Sequence, residues 1–225
     1  MDALEARHRL LLDRIAAAAQ GRPAALLAVS KTQSADAVRA LAALGQRAFG
    51  ENYVQEALTK QAELADPGLE WHLIGPLQSN KCRDAARHFD WVQSVDRAKL
   101  LPLLDRERPA DAAPLNVLLQ VNIEGEASKS GCAPADVMAL ADDAAARPRL
   151  RLRGLMAIPE PHPDEAHRRA AFARMRMLFE ALRERHPGID TLSMGMSDDF
   201  PLALAEGATL IRVGSALFGP RAAKA

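Results

Sequence analysis

The sequence has 225 residues, 48% of them apolar, and 29 basic against 29 acidic side chains for a formal charge of zero. That is enough chain for one large core, and it carries no global basic footprint for nucleic acid or an anionic membrane. Two cysteines far apart, Cys82 and Cys132, exclude a CxxC zinc site and a disulfide framework and suit a reducing cytoplasm.

The N-terminus, with Asp2, Glu5, Arg7 and Arg9 among its leucines, is unlike a signal peptide, and no stretch is long and apolar enough to span a bilayer. The chain therefore reads as a cytoplasmic protein without a metal site. Residues 1–20 place Leu4, Leu11, Ile15 and Ala18 or Ala19 on one side of a helix that Gly21 ends, an extra helix packed on the main body. Leu26-Leu27-Ala28-Val29-Ser30-Lys31-Thr32 follows, an apolar run that stops at a lysine. Bounded by Pro23 and by the helix-start signal Ser34, it reads as a buried parallel strand with Lys31 at its C-terminal end. Alternation puts Leu27, Val29 and Lys31 on one face. Ser34 caps a helix with Val38, Leu41 and Leu44 facing the core, and Gly45 supplies its left-handed end.

The same strand-then-helix unit then repeats. Strands are expected at 47–49, 70–74, 91–95, 115–122, 152–157, 191–194 and 210–213. Between them, Asn52 and Gln55 stand at capping-box spacing. Helices are expected at 80–88, 96–108 and 134–147, and a longer one carries Phe172, Met175, Phe179 and Leu182. Eight strands alternating with helices, without a composition break, indicate one domain, an α/β single (β/α)8 TIM barrel over 26–221 with the extra helix in front. An open doubly wound sheet would need a switch point and fewer strands. Trp71, Trp91 and the methionines of the long helix read as core.

Barrels place their chemistry at the C-terminal ends of the strands, and phosphate commonly sits between the loops after strands 7 and 8. Ser193-Met194-Gly195-Met196-Ser197 and Gly214-Ser215-Ala216 occupy those loops, with small residues that let backbone amides approach an anion. Ser197 also suits helix capping, and Asp198-Asp199 would repel a phosphate unless turned away. A desolvated Lys31 favours the neutral amine that attacks a carbonyl; the bland alternatives are a solvated lysine or a fixed charge. Arg212, inside an apolar strand, needs a partner, either a carboxylate such as Glu51 or a ligand's ring nitrogen or phosphate. Lysine, arginine and small hydroxyl residues together fit pyridoxal phosphate better than a phosphosugar: a Schiff base on Lys31, glycine loops for the phosphate, and Arg212 against the pyridine nitrogen. An arginine there keeps that nitrogen largely unprotonated, so ready transamination is not expected.

Seven motifs sharpen this reading. Ala28-Val29-Ser30-Lys31-Thr32, Phe49 to Glu56, Trp71 to Lys81, Ser128-Lys129-Ser130-Gly131, Leu152 to Pro159, Leu192 to Asp199 and Arg212 to Gly219 resemble, in order, the motifs of the pyridoxal phosphate homeostasis proteins (the YggS/PROSC family). The resemblance covers Leu26 to Arg221. It implies a barrel like the N-terminal domain of alanine racemase, with the cofactor on Lys31, Arg212 in the arginine's place, phosphate contacts from Ser197, Gly214 and Ser215, and Asn52 and Met156 near the ring. Ser193 joins the cofactor site from the loop after strand 7. His72 reads as a satisfied buried hydrogen bond, and Lys129 as a solvated lysine or a second contact for the cofactor.

A pyridoxal racemase needs a base on each face of the substrate carbon, and the resemblance places the second, a tyrosine, in a further C-terminal domain. This chain ends at Ala225 and its only tyrosine is Tyr53. The expectation is a monomeric protein that holds pyridoxal phosphate and hands it to apo-enzymes, acting in vitamin B6 homeostasis and without catalytic residues of its own. The rivals are a low-activity racemase-type enzyme, a Schiff-base aldolase without cofactor, and an interaction module with a structural cofactor.

Overall fold

The structure is a computed structural model that describes residues 3–64, 68–126 and 129–219. Ser128 of the fourth motif, Arg221 and Ala225 lie outside the described residues. Eight strands, β1 (Ala25–Val29), β2 (Ala48–Glu51), β3 (Glu70–Leu73), β4 (Trp91–Val95), β5 (Leu115–Val121), β6 (Leu150–Ala157), β7 (Thr191–Ser193) and β8 (Leu210–Val213), form a closed barrel in sequence order. Every neighbouring pair is parallel, and β8 closes on β1 with Leu27 opposite Arg212. Parallel neighbours need long crossovers, and the helices provide them. These are α2 (Ala35–Ala43), α3 (Val54–Leu64), α4 (Cys82–His88), α5 (Leu101–Glu107), α6 (Val137–Ala145), α7 (Glu165–Arg185) and α8 (Phe200–Ala205).

The extra helix, α1 (Ala3–Ala19), packs on α8 and on the short α9 (Ser215–Phe218) that follows the last strand. It buries His8 along with Leu11, Ile15 and Ala19, and Arg7 Nε donates to the Leu217 carbonyl at 2.8 Å, tying it to the end of α9. Ser34 caps α2 by accepting from the Ala37 amide. Leu44, expected in the core, is instead the exposed residue that ends α2. Met177 is likewise exposed on α7 while Met175 is buried: two residues on is the wrong side of a helix. The capping box at Asn52 is not made. Helix α3 starts at Val54, Tyr53 O accepts from Ala57 N, and Gln55 donates to Asp84.

Alternation along the strands divides the core. One face sends Leu26, Ala28, Phe49, Trp71, Leu73 and Val92 outward into a continuous cluster with the helices. The other face fills the barrel axis, where Trp91, Leu118 and Met156 form a separate small cluster. The β5–β6 register shifts beside Gly154, whose φ is +148° and whose Cβ, were there one, would stand 1.9 Å from the Thr191 carbonyl. Only glycine fits there.

Candidate functional site

Strand β1 ends at Val29, so Lys31 stands in the turn beyond it and not on the strand itself. Both neighbours of Lys31 are anchored. The Ser30 carbonyl accepts from Lys60 Nζ at 2.7 Å, and the Ser30 hydroxyl donates to Glu51 Oε1 at 2.5 Å. On the other side the Thr32 amide donates to Glu56 Oε1 at 2.5 Å, and Thr32 adopts φ +65°. Lys60 also donates to Glu51 Oε1 and Glu56 Oε1, at 2.8 and 2.7 Å, so its three protons are all used. Glu51 is fully buried, and that burial outweighs Lys60 and Ser30 in holding its carboxyl above the ordinary range. Neither Lys60 nor Glu56 stands out in the sequence, because Glu and Lys four apart is the ordinary pattern of a solvated helix face.

Lys31 lines a cavity of about 390 Å³ at the C-terminal mouth of the barrel. Asn52, Ser197, Arg212, Gly214 and Ser215 line it too, bringing together residues up to 184 positions apart (Lys31 to Ser215). The two loops expected to hold an anion meet there: Ser215 Oγ donates to Ser197 Oγ at 3.2 Å. Within α9 the first amides to find an intrahelical acceptor are those of Leu217 and Phe218, both on Gly214 O, which leaves the amides of Ser215 and Ala216 for another acceptor. A Cβ on Gly214 would lie 3.2 Å from the Val29 carbonyl, and one on Gly75, which also lines the cavity, 2.1 Å from Asn52 O. Asp199 is turned away, its Oδ1 accepting from the Met196 amide at 2.6 Å; burial pushes its carboxyl up, while Asp198 remains at the cavity wall.

Arg212 is buried yet reaches the cavity. Its Nη1 donates to Ser193 Oγ and its Nη2 to the Ala157 carbonyl, at 2.7 and 2.8 Å. Glu51 is therefore not its partner, being held by Lys60 on the outer face of β2. Burial pulls the guanidinium down to about 10, with Asp199 opposing through space. Two expected site residues are not among those lining the cavity. Ser193 is fully buried and accepts from Arg212, and Met156 packs with Trp91 and Leu118 on the barrel axis, both from inward positions of their strands.

His72 is buried against Trp91, rings 5.0 Å apart and nearly parallel, and does not line the cavity. Its Nε2 bonds Glu70 and its Nδ1 bonds Gln93, the satisfied buried histidine the sequence suggests. Lys129 lines the cavity and pairs with Glu126. Gln120, unnoticed in the sequence, also lines it and donates to the Ser130 carbonyl at 3.1 Å. Its polarity inside the apolar strand Leu115–Val121, on the same face as Leu118, was the available signal. Cys82 and Cys132 are free and buried, and burial pushes both thiols up to about 11. Among the described residues no group of three His, Cys, Asp or Glu could hold a metal ion, and no helix is long and apolar enough to cross a membrane.

The donors at the mouth fit pyridoxal phosphate: an amine for its aldehyde, a guanidinium with free N–H groups for its ring nitrogen, and hydroxyls with backbone amides for its phosphate. Comparison with known proteins agrees. The family model "Alanine racemase, N-terminal domain" matches residues 2–222. The chain is 61% identical over 211 residues to the pyridoxal phosphate homeostasis protein of Pseudomonas aeruginosa, covering 92% of this chain and 90% of that one. It is 52% identical over 199 residues to the protein of the same name from Escherichia coli K12, covering 87% and 85%. Among solved structures, PipY of Synechococcus elongatus with PLP bound superposes with a TM-score of 0.83 at 45% identity, covering 92% of this chain and 99% of that one.

Proposed function

This chain belongs to the pyridoxal phosphate homeostasis proteins, built on the alanine racemase N-terminal domain, and from that premise we propose that it binds pyridoxal 5'-phosphate covalently through Lys31 and releases it to apo-enzymes. When bound, the cofactor supplies an aldehyde that an amine can capture, one water leaving as the C=N bond forms. The single observation that carries the reading is the convergence of Lys31, Arg212 and the Ser197, Gly214 and Ser215 cradle on one cavity. Lys31 holds the aldehyde carbon, the anchors on Ser30 and Thr32 fix where its amine stands, and Arg212 donates to the ring nitrogen. A donor there leaves that nitrogen unprotonated, which weakens the ring as an electron sink and suits storage over turnover. Tyr53, the residue type a racemase would use as its second base, is two-thirds exposed and is not among the residues lining the cavity.

The carrier reading extends to a monomer in a reducing cytoplasm, in keeping with two free, buried thiols. Purified protein incubated with pyridoxal phosphate and reduced with borohydride should carry one cofactor mass on the peptide containing Lys31, and Lys31→Ala should carry none. Label on another lysine would refute the assignment. Sustained racemisation of a free amino acid that is lost in Lys31→Ala would replace carrier by enzyme.

A further inference from the structure

The barrel axis holds a continuous polar path that the cavity does not explain. Arg212 Nη1 donates to Ser193 Oγ at 2.7 Å, and Ser193 Oγ donates to Gln93 Oε1 at 2.7 Å. Gln93 Nε2 then lies 2.9 Å from His72 Nδ1, and His72 Nε2 lies 2.8 Å from Glu70 Oε1. The path crosses the barrel from β8 and β7 to β4 and β3 and runs from the mouth to Glu70, the first residue of β3, whose side chain is half exposed at the opposite end. Arg212, Ser193, Gln93 and His72 are all buried.

The chemistry fixes the sense of the path. Glu70 is an acceptor, so His72 Nε2 must carry a proton. Burial lowers His72 from its ordinary value and so favours the neutral ring, and with its one proton on Nε2 the Nδ1 accepts from the Gln93 amide. That leaves Gln93 Oε1 to accept from Ser193, whose oxygen accepts from Arg212. Every donor points from the guanidinium toward the carboxylate. Among the described residues no carboxylate lies within ion-pair distance of Arg212; Asp199 acts on it only through space.

We propose that this relay is a positioning device for Arg212, in which Glu70 supplies the distant counter-charge and Ser193, Gln93 and His72 orient the guanidinium so that its remaining N–H groups face the cavity. The proposal rests on the cofactor reading above for the identity of what Arg212 meets there, a ring-nitrogen acceptor. It makes Glu70, at the far end of the barrel from the cavity, a determinant of cofactor affinity. The relay is also directional: a proton on His72 Nδ1 would turn the Gln93 amide over and take from Ser193 its acceptor, loosening Arg212. The charged groups facing His72 are Glu70, Asp90 and Arg153.

The test uses full-length protein with pyridoxal phosphate as the probe. Glu70→Gln keeps an acceptor for His72 and removes only the charge. It should weaken cofactor affinity about threefold or more and shift the pH midpoint of the bound cofactor's absorbance, with Glu70→Asp restoring both. Gln93→Leu, which cuts the path in the middle, should do the same, and adding Glu70→Gln to it should have no further effect. A second measurement needs no cofactor. In 15N spectra of the free protein, the Arg212 side-chain signals, identified by their loss in Arg212→Met, should move in Glu70→Gln, and His72 Nδ1 should be unprotonated. A folded Glu70→Gln protein with unchanged affinity, unchanged midpoint and unmoved Arg212 signals overturns the relay. If wild-type protein does not bind pyridoxal phosphate, the cofactor reading fails, and the 15N arm alone decides whether the relay orients Arg212.

Discussion

At Arg212 a single side chain joins burial, charge and recognition. Its two hydrogen bonds, to Ser193 and the Ala157 carbonyl, use two of the five guanidinium N–H groups and leave others for a ligand at the cavity. Arg212→Met keeps the volume and removes the donors, so cofactor affinity should fall by the value of a charge-assisted hydrogen bond, about 1.5–3 kcal/mol or roughly ten- to a hundredfold in Kd. An absorbance or fluorescence titration checks this; an unchanged Kd would remove Arg212 from the site. The role of Arg212 was half legible in the sequence. A charge in the run Leu210 to Val213 announces that something holds it, but two candidate partners, Glu51 and a ligand, were equally consistent with that. What decided was that Glu51 faces the helices with Phe49 while Arg212 faces the axis, and which of a strand's two faces points inward becomes known only when the barrel closes. Ser193 and Met156 do not line the cavity for a related reason: position along a strand gives a residue's face, while its height above the barrel floor depends on the shear of all eight strands.

Among the elements, α3 is the one that fixes the functional turn. Lys60 on α3 meets Glu51 on β2, Glu56 one helical turn back and the Ser30 carbonyl after β1, joining three elements at one ammonium. Lys60→Met should cost about 3–5 kcal/mol in denaturant unfolding, since it strips a buried carboxylate of its partner. The loss should be smaller at pH 5 than at pH 8. Glu51 binds its proton more readily folded than unfolded, so stability falls as pH rises above its ordinary value, and a protonated Glu51 needs no cation. A pH-independent loss would show that Lys60 acts through packing alone. The duty of α3 was not legible in the sequence, because a Glu-Lys pair four apart looks the same whether water or a barrel strand lies beside it.

Over the whole molecule, stability should fall on the acid side because of the polar axis. His72 titrates lower in the folded protein than in the unfolded chain, so the unfolded state binds more protons and stability is lost as pH falls below about 6.5, the ordinary histidine value. Glu70, held low chiefly by its bond to His72, adds stability above its ordinary pKa that is lost as pH falls through its depressed value. The two act in the same direction. Urea unfolding of wild type from pH 8 to pH 5 should show this decline, and His72→Gln should flatten it between pH 6.5 and 5; an equal slope in both would remove His72 as the cause.

By itself the sequence determined the alternation of eight strands with helices, the extra helix in front, the lysine after the first strand and the small-residue loops after the last two. Each of these is written in local periodicity, capping residues or glycine placement, and local sterics act before any long-range contact forms. Only the tertiary structure decided that Glu51 belongs to Lys60, that Ser193 accepts from Arg212, and that a polar path from Glu70 to Arg212 threads the axis. Those pairings arise when strands distant in the chain close into a ring, and the faces that then meet are set by register and shear across the whole barrel.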